Sequence, residues 1–137
     1  MRQVRIMLAD DNPDILHYAT HLLAQKFSDI EAVPDGESVL RNYETWKPDV
    51  VILDIEMGKL SGIEVAHRLL ELGHQAKIVF LTVHEEQEFI CGAFGAGGAA
   101  YVVKTHLNSD LLNAIEAVLA GHIFLSPTLS SLGNKLI

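Results

Sequence analysis

Unbroken apolar runs alternate with amphipathic stretches along the chain. Val50–Leu53 and Ile78–Leu81 are continuous and rich in β-branched residues, the pattern of strands buried on both faces of a parallel sheet. Val4–Ala9 is interrupted only by Arg5. Ile30–Val33 is shorter and more mixed, as an edge strand often is, and Ala99–Val103 is a fifth strand candidate. Between these runs, Ile15, Leu16, Ala19, Leu22 and Leu23 share one helical face. Pro13 stands near that helix start, where its missing N–H costs little. Val39, Leu40 and Tyr43 predict a second helix, and Ile63, Ala66, Leu69 and Leu70 a third that ends near Gly73. Phe89, Ile90, Ala93 and Phe94 predict a fourth. Leu111, Leu112, Ile115, Val118 and Leu119 predict a fifth, stopped at Gly121.

Five strand–helix alternations imply an α/β fold with helices on both faces of a parallel sheet. Right-handed crossovers leave few topologies. The best fit is a flavodoxin-like, doubly wound, three-layer α/β/α fold with a five-stranded sheet in the order 2-1-3-4-5. The length of 137 residues and an apolar content of 49% suit one domain with one core. The reading places the domain at residues 1–121 and treats 122–137 as a C-terminal extension or the start of a linker. Cys91 lies in an apolar helical stretch and is expected to pack inside.

The chain has 10 basic and 18 acidic side chains, a formal charge of −8. That charge disfavours direct nucleic-acid binding, which needs basic surface, and binding to an anionic membrane. No apolar run is long enough to span a bilayer. The N-terminus enters a strand without a signal-peptide pattern, so the expected location is cytoplasmic.

Four predicted strands end in polar residues: Asp10 and Asp11, Asp54, Thr82, and Lys104. In open α/β sheets, ligands bind at that carboxyl edge. Neighbouring first and third strands would bring Asp10, Asp11 and Asp54 together. Three carboxylates repel unless a hard divalent cation sits among them, which suits Mg²⁺, or Mn²⁺ in its place. One carboxylate could then attack phosphorus and form an acyl phosphate. Lys104 would steady the phosphoryl oxygens, and Thr82 would offer a hydroxyl. Taken singly, each residue has an ordinary explanation. Asp10, Asp11 and Asn12 could all cap the first helix.

Together the segments Leu8–Asn12, Val50–Met57, Phe80–His84 and Ala99–Lys104 resemble the receiver domain of two-component response regulators, over about residues 4–121. The resemblance implies that Asp54 is the phospho-acceptor, charged by a histidine kinase. It implies Mg²⁺ held by Asp10, Asp11, Asp54 and the Glu56 backbone carbonyl. Thr82 and Tyr101 would be the switch pair, Tyr101 rotating inward as Thr82 moves toward the phosphoryl group, and Lys104 the phosphate-contacting lysine. Glu56 and His84 hold positions the family uses to tune dephosphorylation. Such a domain is a phospho-acceptor with self-catalysed transfer and dephosphorylation, not an enzyme with steady turnover. Family members can form homodimers on phosphorylation.

The stretch Asn108–Gly121 followed by His122-Ile123-Phe124-Leu125-Ser126-Pro127 is similar to the receiver end of LuxR-type transcriptional regulators. There a helix-turn-helix domain follows, so DNA would be reached only through an output domain absent from this chain. The alternative is a stand-alone receiver acting through protein contacts. Three departures from the family pattern are Gly58 and Thr105, where the family usually or often has proline, and Glu56, which puts another acid beside the pocket. Gly58 should loosen the loop to Gly62, and a cis bond before Thr105 cannot be assumed.

Other readings fare worse. A haloacid-dehalogenase-type phosphatase needs an Asp-X-Asp loop after its first strand, whereas Asp54-Ile55-Glu56 follows the third. A flavin phosphate would be repelled by the carboxylates. His17 and His21 have metal-pair spacing but lack a completing ligand, and read as an exposed, non-binding pair. Gly92 and Gly95 predict either that the fourth helix is the least stable of the five or that glycine there permits close packing against the sheet.

Overall fold

The computed structural model describes residues 3–129. Six strands and five helices alternate: β1 (Arg5–Ala9), α1 (Pro13–Leu23), β2 (Asp29–Val33), α2 (Gly36–Trp46), β3 (Val50–Leu53), α3 (Gly62–Glu71), β4 (Lys77–Thr82), α4 (Gln87–Gly95), β5 (Ala100–Val103), α5 (Leu107–Leu119) and β6 (Phe124–Leu125). Short 3₁₀ turns at Lys104–His106 and Pro127–Leu129 flank the last two elements. All strand pairs are parallel, in the order β2-β1-β3-β4-β5-β6.

The flavodoxin-like expectation is met, but the sheet has six strands rather than five. The chain after Gly121 turns back beside β5, pairing Ala100 with Phe124 and Tyr101 with Leu125. Its next residues are also part of the folded unit, since Ser126 and Leu129 are buried. The rest of the proposed extension, residues 130–137, lies outside the described residues.

Side chains alternate along the strands into two cores. Ile6, Leu8, Val50, Ile52, Val79 and Leu81 meet α1 and α5 on one face. Met7, Ala9, Val51, Leu53, Phe80 and Tyr101 meet α2, α3 and α4 on the other. Period-two alternation within a wholly apolar strand thus feeds both layers. In-register pairing of Ala9 with Leu53 and of Thr82 with Val103 aligns the ends of the central strands. Residues just beyond those ends must converge. Among the described residues, no helix is long and apolar enough to cross a membrane.

One local expectation changes and another keeps its exposed placement. Cys91 is exposed rather than packed inside. The buried side of α4 carries Ile90 and Ala93, and one residue's rotation of about 100° turns Cys91 outward. His17 and His21 are both exposed, with ring centroids 5.2 Å apart.

Candidate functional site

Asp10 leaves the end of β1 and Asp54 the end of β3. The Asp54 N–H donates to the Ala9 carbonyl at 3.2 Å and the Asp10 N–H to that of Val33 at 3.3 Å. The strand ladder therefore continues far enough to fix both aspartates. Helix capping falls to Asn12, whose Oδ1 accepts from the N–H groups of Asp14 (2.9 Å) and Ile15 (3.4 Å). Asp10 Oδ1 accepts the Asn12 N–H at 2.9 Å, which leaves Oδ2 facing the site. Asp11 is exposed. With the cap supplied by Asn12, neither aspartate is needed to cap α1.

Lys104, directly after β5, closes the cluster. Its Nζ lies 2.7 Å from Asp10 Oδ2 and 2.9 Å from Asp54 Oδ2. Asp10 and Asp54 are buried. Burial raises the Asp10 carboxyl above its ordinary value, and the Lys104 contact only partly offsets this. Burial works against the Lys104 charge as well. The Asp10 and Asp54 carboxylates beside it outweigh this and hold the ammonium above the usual lysine range.

Carboxylate oxygens of Asp10, Asp11 and Asp54 lie within 4.8 Å of one another. One ammonium against three carboxylates leaves a formal local charge of −2. That surplus, the all-oxygen donor set and its spacing fit a small hard divalent cation. A cavity of about 770 Å³ opens beside Asp54, lined among others by Asp11, Glu56, His84, Phe89 and Lys104.

Glu56 and His84 meet across the mouth of this cavity. Glu56 Oε1 is 2.7 Å from His84 Nε2, Glu86 Oε2 is 3.5 Å from His84 Nδ1, and the His84 ring stacks on Phe89 at 4.1 Å. The contact ties the loop after β3 to the loop after β4. Thr82 and Tyr101 do not line the cavity. Thr82 is wholly buried, and its Oγ1 accepts the His84 N–H at 3.4 Å. Tyr101 is already inward and wholly buried, its hydroxyl donating to the His84 carbonyl at 2.8 Å. Burial, with Glu86 and Asp54 nearby, pushes its phenol far above the ordinary range, so the proton that makes this bond stays in place.

Two backbone features were beyond sequence reasoning or only half seen by it. A Cβ on Gly62 would lie 2.0 Å from the Asp54 carbonyl oxygen, so only glycine lets α3 start this close to the aspartate. The Gly62 N–H also donates to the Ile55 carbonyl at 2.8 Å, closing the loop. Gly58 has φ +67°, a conformation closed to proline. The departure at Gly58 is thus a different loop path as well as a missing ring. The described peptide bonds, Lys104–Thr105 included, are all trans.

Residues 6–116 match the response regulator receiver domain family. An uncharacterised response regulatory protein of Vibrio cholerae is 37% identical over 80% of this chain and 42% of its own length. The virulence-factor transcription regulator BvgA of Bordetella pertussis, described as a putative positive regulator, is 32% identical over 93% of this chain and 62% of its own. The chain spans about half the length of these curated relatives. The crystal structure of a LuxR-family two-component response regulator from an Aurantimonas species superposes with a TM-score of 0.91 at 29% identity, covering 98% of both chains. A parallel sheet that gathers three aspartates and a lysine at its carboxyl edge, and a family match over nearly all of that sheet, agree: this chain belongs to the receiver domains of two-component response regulators, among relatives that regulate transcription.

Proposed function

We propose that Asp54 accepts a phosphoryl group from a phosphohistidine on a partner histidine kinase. Receiver domains are phospho-acceptors, and they generally bind Mg²⁺ at an acidic pocket. Here Asp10, Asp11, Asp54 and the Glu56 carbonyl would hold it, with Mn²⁺ an acceptable substitute. When bound, the ion supplies charge neutralisation for phosphoryl oxygens. The observation that carries the reading is the Lys104 ammonium bridging Asp10 and Asp54.

A carboxylate oxygen of Asp54 attacks phosphorus, the phosphohistidine P–N bond breaks, and an acyl phosphate forms. Lys104 keeps its proton and follows the new negative charge. The Thr82 hydroxyl turns from the His84 N–H to a phosphoryl oxygen. That releases the loop after β4, to which Tyr101 is already bonded. The switch is therefore a rearrangement of the His84 segment around a buried Tyr101, a population shift driven by local charge.

Transfer and later hydrolysis are catalysed within the domain itself, with Glu56 and His84 governing access of water. The output is transcriptional, through a DNA-binding domain beyond this chain, and phosphorylation favours a homodimer. The working location is the cytoplasm.

Incubation with a small acyl phosphate and Mg²⁺ tests the core of this reading. One phosphoryl group should add to the mass of the wild type and none to Asp54→Asn. A gain that persists in Asp54→Asn overturns it.

A further inference from the structure

We propose that Ser126, together with Asp110, is a positioning residue for phosphoryl transfer, acting through the backbone that carries Lys104. The inference rests on the phospho-acceptor reading and adds a part of the chain that reading does not use.

β6 lies parallel to β5 at the edge of the sheet. Phe124 N–H donates to the Ala99 carbonyl and Ser126 N–H to the Tyr101 carbonyl, each at 3.0 Å. In a regular parallel ladder the next bond would run from Val103 N–H to the Ser126 carbonyl. That carbonyl is committed elsewhere: it accepts the Leu129 N–H at 2.8 Å, in the turn that Pro127 opens. The Ser126 hydroxyl takes its place. Oγ accepts the Val103 N–H at 3.1 Å and donates its own proton to Asp110 Oδ2 at 2.8 Å. Asp110 Oδ1 accepts from the Ser109 hydroxyl at 3.1 Å.

Ser126 and Asp110 are both buried, so water does not substitute for this chain of bonds. Val103 is the last residue of β5, and Lys104 is the next in sequence. Asp110 stands in the first turn of α5. One hydroxyl therefore pins the strand end before Lys104 and, through Asp110, the helix start after it. The ammonium must reach two carboxylates at 2.7 and 2.9 Å, and small displacements of a charge-stabilising group are costly to rate. Alanine at 126 would leave the Val103 N–H and Asp110 Oδ2 buried without this partner, and the corner would shift to find others.

The test is a double-mutant cycle. Phosphorylation by a small acyl phosphate with Mg²⁺ is timed for the wild type, Ser126→Ala, Lys104→Ala and the double variant. Ser126→Ala should slow labelling about tenfold when Lys104 is present and by less than about twofold when it is absent. Ser126→Thr, which keeps the hydroxyl, should restore most of the rate. An equal loss in both backgrounds, or a wild-type rate for Ser126→Ala, overturns the proposal.

A second measurement does not depend on phosphorylation. Acetylation by an amine reagent, mapped by peptide mass, should quicken at Lys104 in Ser126→Ala and in Asp110→Asn, while exposed Lys59 is unchanged. Unaltered labelling at Lys104 overturns the proposal even if the wild type takes up no phosphoryl group; that latter result would fall on the phospho-acceptor reading instead. Asp110→Asn keeps the side-chain shape, and so covers the case in which Ser126→Ala does not fold.

Discussion

Asp10 is held in a position that suits metal binding better than it suits the metal-free fold. It is 1% exposed, and burial raises its carboxyl despite Lys104 alongside. The Lys104 contact lies within 2.7 Å, yet Asp10 Oδ2 accepts no well-directed hydrogen bond. At neutral pH the ionised side chain is therefore a cost the fold carries. Asp10→Asn should raise the thermal midpoint of the metal-free protein by about 2–5 °C, and added Mg²⁺, expected to stabilise the wild type under the proposed function, should not stabilise this variant. A midpoint that falls, or an undiminished response to Mg²⁺, would contradict this. At this scale the sequence was informative where topology fixes the answer. Residues just beyond neighbouring parallel strands must meet, so Asp10, Asp54 and Lys104 could be read as one group. The inward pose of Tyr101 could not, because it depends on a rotamer and on the His84 carbonyl supplied by another loop.

Among the elements, α4 is the least supported. It has nine residues, no side-chain hydrogen bond at its N-cap, and Gly92 and Gly95 within it. By contrast α1 has eleven residues, and Asn12 caps it by accepting from two backbone N–H groups. A missing cap costs about 1 kcal/mol, and each interior glycine up to about 1 kcal/mol against alanine. Backbone amides of α4 should therefore exchange with solvent at least about tenfold faster than those of α1; slower exchange in α4 would refute the point. The location matters, because α4 begins where the His84 loop ends and its Phe89 carries the His84 ring. The same element shows how much periodicity can tell. Apolar neighbours pointed Cys91 inward, whereas the phase set by Ile90 and Ala93 turns it out. Strands β1, β3 and β4 were plain in the sequence because burial on both faces demands unbroken apolar runs. Strand β6 was not, because two half-buried residues at an edge carry no period, and its anchor is a serine hydroxyl.

Considered as a whole, the molecule seals one side of its sheet with its own C-terminal segment. Without β6, the edge of β5 would present the Ala99 and Tyr101 carbonyls and the Val103 N–H unpaired. Leu129, 3% exposed, would leave the core it shares with Phe80 and Tyr101, and Asp110 would lose the Ser126 hydroxyl. Burying a leucine contributes about 1.5–3 kcal/mol, and stranding buried polar partners costs about 1–3 kcal/mol. Ending the chain at Gly121 should thus lower the unfolding free energy by about 3–5 kcal/mol, measured by urea denaturation. An open, apolar strand edge also templates pairing with a second chain, so the shortened protein should self-associate in sedimentation velocity under conditions where the full chain does not. Equal denaturation midpoints would show that residues 122–129 only rest on the sheet. Lower stability without association would show that β5 needs its neighbour for packing and not for protection of its edge.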